Sequence, residues 1–396
     1  MSAGKEFSRS QEQFVRYQLT WATYGLVGYF AYLETVLGPL MPFLRAEHGF
    51  GYTVASLHFS AFALGGVIVG LLGDRATGRW GRRASLWGGG TVMALGALLL
   101  VSSPFTLGTI FSALVMGVSG SLLLITTQAV LADKHGEWSA VALTESNAAA
   151  SACAILASLA VGAFAAAGLG WRAALVPPIA AVALLTARFY AEPLGWAGTR
   201  LSAPGRGTTS RLPARFWVSW GVLFLGVSVE WCIAYWGADF LENSVGLERS
   251  SAAAALSVFF VAMLGGRLVG SRLARRLPGT TLLLATLCIA SAGFPLFWLA
   301  GIPAISLLGL FVVGLGMGSV YPLAISVGVA SVFGQADAAT ARLALAGGGA
   351  ILLAPFVLGA LADRVGIWGA YSIVPPLLLT ALVLTLFTRR LDAIEE

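Results

Sequence analysis

The chain has 396 residues, of which 58% are hydrophobic and only 11% charged, with a formal charge of +6. Soluble domains carry about a quarter charged residues, so this composition cannot coat a water-facing surface, and it excludes a soluble enzyme or a disordered chain. The arginines behind the positive balance sit between apolar runs, which points to membrane topology rather than nucleic acid.

The N-terminus, MSAGKEFSRSQEQFVRYQ, is polar throughout. It lacks a short apolar core with a small-residue cleavage site, so no cleaved signal peptide is expected. Apolar runs then follow at 18–44, 53–73, 84–103, 105–131, 140–167 and 171–190. After a polar interruption they resume at 216–242, 251–274, 280–300, 303–331, 341–362 and 367–387. A membrane strand needs about 9–11 alternating residues. These runs are about twice as long and do not alternate, and in lipid a helix satisfies its own backbone. The expected fold is an all-α polytopic membrane protein of twelve transmembrane helices.

The interruption, AEPLGWAGTRLSAPGRGTTSRLPAR over 191–215, is rich in Gly, Pro, Ser and Arg and reads as a linker. It separates an N-terminal six-helix bundle, 1–190, from a C-terminal one, 216–396. The halves echo each other. LGGVIVG at 64–70 matches LGGRLVG at 264–270, and VPP recurs at 176–178 and 374–376, eight residues after Gly168 and Gly366 respectively. Two pseudo-symmetric bundles related by an axis along the membrane normal are expected.

With cytoplasmic termini, only Arg45, Arg172, Arg249 and Arg364 of the 24 Lys and Arg residues face the other side. Basic loops stay inside, so both termini and the linker are expected in the cytoplasm, in a bacterial inner membrane. Cys153, Cys232 and Cys288 lie within apolar runs and lack metal-ligand spacing. The glycines at 314, 316 and 318 follow no strand, so close helix packing is expected there instead of a nucleotide site. There is no phosphate loop, zinc spacing or nucleophile elbow, so neither catalysis nor a metal or cofactor is expected.

The sharpest local motif is GLLGDRATGRWGRR, Gly70 to Arg83, between spans 2 and 3. Its glycines permit close helix approach. Asp74 has the chemistry to cap a neighbouring helix N-terminus or pair with arginine, in a contact that opens when the bundles rock. Gly70, Asp74, Arg75, Gly81, Arg82 and Arg83 are therefore the expected conformational switch.

Twelve spans, a central basic linker and a G-x-L-x-D-R motif after span 2 resemble the major facilitator superfamily across the whole chain. Gly70, Leu72, Asp74 and Arg75 match that motif directly, while its closing Gly-Arg-Arg arrives late, at Gly81, Arg82 and Arg83. GPLMPFL at Gly38–Leu44 also resembles the family. GLGMGSVYP at Gly314–Pro322 and GVSVEWCIAYW in span 7 are similar to sugar-permease-like members of the fucose permease group. The resemblance implies a secondary transporter, a symporter in some members, with a midplane site between rocking bundles. Two family features are absent, the span 4 arginine and the span 5 Gly-Pro motif of drug–proton antiporters. A proton-coupled transporter of a small organic solute is expected, with a proton-driven exporter of hydrophobic or cationic compounds as the alternative.

Glu34 and Glu230 lie near the middle of spans 1 and 7. Ionisable groups at that depth are costly and face a wet cavity or a partner, so these two are candidates for proton coupling or substrate binding. Tyr32, Asn147, Trp231, Tyr235 and Tyr321 are cavity candidates, since aromatic faces stack on rings and sugars. Arg267 lies about five residues from Arg272 and is expected to snorkel to the surface, with an anion site as the less favoured reading. Glu145 is expected as a helix N-terminal acid and His58 as an interfacial residue. Paired acids fit a neutral or cationic solute better than a strongly anionic one. The expected partners are such a solute, protons and lipid, with no nucleic acid and the monomer as working unit.

Overall fold

The computed structural model describes residues 14–194, 212–332 and 335–395. Of the linker read at 191–215, residues 195–211 lie outside that description, as do Lys5, Arg9, Arg200, Arg206 and Arg211. The described residues are helical nearly throughout. The N-terminal half comprises α1 (Gln18–Thr35), α2 (Leu37–His48), α3 (Tyr52–Arg83), α4 (Gly89–Ser102), α5 (Thr106–His135), α6 (Ser139–Ala166) and α7 (Val176–Phe189). The C-terminal half comprises α8 (Ala214–Asn243), α9 (Arg249–Ala255), α10 (Ser257–Leu273), α11 (Gly279–Leu299), α12 (Pro303–Ala330), α13 (Ala336–Ala370) and α14 (Val374–Glu395).

Among the described residues, nine helical stretches are long and apolar enough to cross a membrane, and three of them are too long for one crossing. Tyr52–Ser102 would span roughly 76 Å as one straight helix at 1.5 Å per residue, against a hydrocarbon core of about 30 Å. It breaks at Gly81, with φ 81° and ψ 158°, and the stretch over α13 and α14 breaks at Gly366, with φ 75° and ψ 163°. Only glycine adopts that backbone without strain. The third long stretch, Thr106–Ala166, turns through a short 3-10 segment at Gly136–Trp138. The result is twelve crossings.

The breaks also correct one boundary. Hydropathy ends span 2 near residue 73, whereas α3 remains helical past Asp74, Arg75 and Arg79. A helix end can carry charge where it leaves the hydrocarbon, because long arginine side chains reach water.

The two halves share one packing pattern. In the first, α1 packs on α6 and α7, while α5 packs on α3 and α4; in the second, α8 packs on α13 and α14, while α12 packs on α10 and α11. Lipid gives helices no hydrophobic reason to associate, so small residues and close backbone approach hold them together. A side chain at Gly318 would run into the Met263 carbonyl, and one at Gly266 into the Leu315 backbone. Outward-facing Leu107 and Leu184 are among the most exposed apolar side chains, as a lipid-covered surface requires.

The halves meet along α3 against α13, and along α6 against α9 and α10. They close tightly at the end opposite the termini, where α2 also packs on α8. There Cys232 to Leu241 are all buried, and Phe59 stacks on Tyr235 with ring centres 4.1 Å apart. Arg45 donates to both carboxylate oxygens of Asp239, at 2.9 and 2.7 Å, and lies 3.5 Å over the Tyr52 ring. The Asp363 carboxylate caps the start of α3, accepting from the N–H groups of Tyr52 at 2.7 Å and Thr53 at 2.8 Å. Glu248 caps α9, and its bonds from Ser250 hold that carboxyl below the usual carboxylate range.

Candidate functional site

Midway along the first crossing, where α1 gives way to α2, and midway along α8, the two halves part around a cavity of about 140 Å³. Its polar groups are Glu34 and Thr35 from α1, Ser151 from α6, Glu230 from α8 and Arg267 from α10. Ala31, Ala154, Trp231, Phe260 and Met263 supply much of the apolar wall. Glu34 also lines a larger vestibule of about 480 Å³ between α3 and α13, walled by Phe62, Val67, Leu71, Leu345 and Ile351. That vestibule reaches Gly70 and Ala341, toward the termini. The chain is therefore closed at one end and open at the other.

Thus Glu34 and Glu230, 196 positions apart in sequence, share one cavity. Neither carboxyl makes a hydrogen bond to another described residue, although Glu230 Oε1 stands 3.9 Å from Arg267 Nη2. An acid held in lipid without a bonded partner is expensive, which suits groups that exchange protons or meet a ligand.

The other sequence candidates divide. Trp231 lines the cavity. Tyr235 is fully buried one turn further on, stacked on Phe59, and its hydroxyl has no hydrogen-bond partner among the described residues. Tyr32 points away, donating 2.6 Å to the Ala174 carbonyl within its own half. Asn147 is exposed one helical turn from Ser151, nearer the termini, and does not line the cavity. Tyr321 is 40% exposed on α12, with its ring against Gly347 of α13, and lies outside the cavity wall.

Arg267 does not snorkel. It turns inward, donating from Nε to the Gly318 carbonyl at 3.1 Å and from Nη1 to Ser151 Oγ at 3.0 Å. The second bond crosses between the halves. His58 is buried, not interfacial, bonded to Thr109 Oγ1 at 2.8 Å and stacked on Phe50. Glu145 accepts from Arg16 and from the Tyr24 hydroxyl at 3.0 Å. Asp239 and Asp363, which join the two halves at the closed end, carry no motif in the sequence. Asp239 has a faint signal, an acid inside the apolar run of span 7.

In the motif segment, Arg82 pairs with Asp133 of α5, and Arg83 donates to the Glu192 carbonyl at 3.1 Å. Asp74 and Arg75 are exposed, and among the described residues neither has an ion-pair partner. Gly81 makes the break itself, while Gly70 lines the vestibule.

The family model for the Major Facilitator Superfamily matches residues 23–340. An uncharacterized MFS-type transporter of Yersinia pestis is 26% identical over 348 residues, covering 86% of this chain and 88% of that protein. A bacterial homolog of the human lysosomal transporter Spinster, solved in an inward-facing and unoccupied conformation, superposes with a TM-score of 0.76 at 14% identity, covering 94% of this chain and 96% of that one. A D-xylose–proton symporter superposes with a TM-score of 0.74 at 16% identity, covering 93% and 96%.

Proposed function

Because the chain belongs to the major facilitator superfamily and is a transporter, not an enzyme, we propose that it moves a small organic solute by alternating access and couples that movement to protons through Glu34 and Glu230. The observation that carries this is the cavity between the halves, where both acids lie without hydrogen-bonded partners among the described residues. Charged and titratable groups near them are Arg267 on α10, Tyr235 on α8 and Tyr321 on α12. A pH-jump uptake assay in proteoliposomes tests it, with accumulation expected when the solute side is acidified. The apolar vestibule favours a second reading, a proton-driven exporter of hydrophobic or cationic compounds. The direction of the gradient that drives flux separates the two.

The contacts between α3 and α13 support a switch role for the motif. The helices run antiparallel, with Asp363 at the start of α3 and the Ser60 hydroxyl donating 2.9 Å to the Leu352 carbonyl further along. Continuing that register sets Asp74 opposite the first turns of α13, beyond the vestibule. Helix starts carry free N–H groups and favour an acid. Each acid then latches the partner helix in one of the two states, Asp363 in this one and Asp74 after rocking. Asp74→Asn should slow turnover at least tenfold while solute affinity stays within about threefold, since 1.4 kcal/mol in the switch is a factor of ten. Transport kinetics beside equilibrium binding check this; lost affinity at an intact turnover rate would move Asp74 to a binding site.

We place the termini and the linker in the cytoplasm of a bacterial cell membrane, with the monomer as working unit, so the state seen is open to the cytoplasm. A reporter fused after Arg390 or inserted at Gly205 should report cytoplasm. A signal from the far side at either position overturns the orientation.

A further inference from the structure

The central cavity holds one guanidinium and two carboxyls, contributed by both halves. Arg267 is fixed at two points, by the Gly318 carbonyl behind it and by Ser151 across the interface. Among the described residues its third nitrogen, Nη2, finds only Glu230 at 3.9 Å, too far for a hydrogen bond. A guanidinium prefers a carboxylate that takes two parallel N–H bonds, and Glu230 does not supply that geometry. The repeat has Val67 where this half has Arg267, and among the described residues Arg267 is the one cation that lines the cavity. Around the charges the wall is short and apolar. At about 30 Å³ per liquid water, the space holds on the order of five waters.

We propose, resting on the transport reading above, that the solute is a small amino- or hydroxy-carboxylate whose carboxylate binds the Nη edge of Arg267 in place of Glu230. Its amino or hydroxyl group then donates to Glu34, and a short apolar side chain meets Trp231, Phe260 and Met263. A dianion is disfavoured by the two acids, and a simple cation by Arg267. A neutral sugar leaves Nη2 without its anionic partner. The bound solute joins α10 to α1, so it holds both halves at once.

The test uses the purified full-length chain and matched probes that differ only in the carboxylate: L-alanine against L-alaninamide, and L-lactate against L-lactamide, with D-xylose and ethanolamine as neutral and cationic references. Ligands of the folded state raise its melting temperature. At least one acid should raise it by at least about 2 °C at saturation, with its amide at least tenfold weaker. Arg267→Gln should abolish the shift, and Arg267→Lys, which keeps charge but not the fork, should weaken binding at least tenfold. The acid–amide comparison in the unaltered protein decides the matter even if a variant does not fold. No stabilisation by either acid, equal stabilisation by the amides, or an acid shift retained in Arg267→Gln overturns the proposal. Stabilisation by D-xylose or ethanolamine alone overturns the carboxylate class and leaves the transport reading standing, whereas absent proton coupling with the acid shift intact overturns the coupling and leaves the carboxylate class standing.

Discussion

Glu34→Gln and Glu230→Gln should each leave a folded protein that no longer accumulates solute down a pH gradient, the largest functional loss expected from any single substitution in this chain. Both acids line one cavity, on α1 and α8, the first crossing of each half. In lipid each carboxyl is cheaper neutral than charged unless it meets a cation or water, so opening the cavity to either side changes which form is favoured. Glutamine keeps the size and hydrogen-bonding capacity but cannot titrate. The variant of the proton carrier should still exchange labelled solute across the membrane at equal pH, while its pH-driven accumulation falls to the equilibrium ratio. The variant of an acid that serves the solute should lose binding itself. Uptake and counterflow in the same proteoliposomes separate the two losses. Accumulation unchanged in both single variants would end the coupling role and leave two structural acids.

Asp239→Asn should hold the chain open at the end that is closed here. Asp239 is fully buried, and Arg45 donates both of its contacts to it from the other half. Removing one partner of a buried ion pair costs roughly 3–5 kcal/mol, because the remaining charge is stranded. Here the chain need not unfold to escape that cost: rocking open returns Arg45 to water. A penalty of about 3 kcal/mol shifts the ratio of closed to open states more than a hundredfold. Glu242 lies in the same pocket but is engaged by Arg249 at 2.8 Å, so it does not replace Asp239. A cysteine substituted at Ala234, buried against Gly38 of the other half in the closed state, should become accessible to an impermeant thiol reagent added at the closed end in the Asp239→Asn background. Replacing both partners with apolar residues, Arg45→Met with Asp239→Leu, should restore protection. Equal protection in the single variant and the unaltered chain would show that the ion pair does not set the gate.

What the sequence discloses and what it hides follow from range. Each span rests on some twenty consecutive apolar residues, and the repeat on short identical strings such as LGG, so both are legible locally. The depth of Glu34 and Glu230 is legible in the same way. Side-chain direction is not. Arg267 sits close enough to Arg272 to snorkel, and only the approach of α12 at Gly318 and α6 at Ser151 turns it inward. Tyr32 and Tyr235 share a face-neutral aromatic pattern with Trp231, yet one bonds within its own half and the other seals the closed end. The gate pairs Arg45–Asp239 and Tyr52–Asp363 join residues 194 and 311 positions apart, and no local pattern links them. Charged helix ends also shorten hydropathy spans, which is why Asp74 and Arg75 read as loop although α3 carries them.

Alternating access is the claim on which the rest depends, and paired distances test it without a known solute. One pair of spin labels spans the halves at the closed end, on Phe50 and Leu247; a second spans the open end, on Arg79 and Arg276. Measured in lipid from pH 5.5 to 8, the population that lengthens at the first pair should equal the population that shortens at the second. Distances that stay single and fixed at both ends, or that lengthen together, would contradict a two-state rocking transporter.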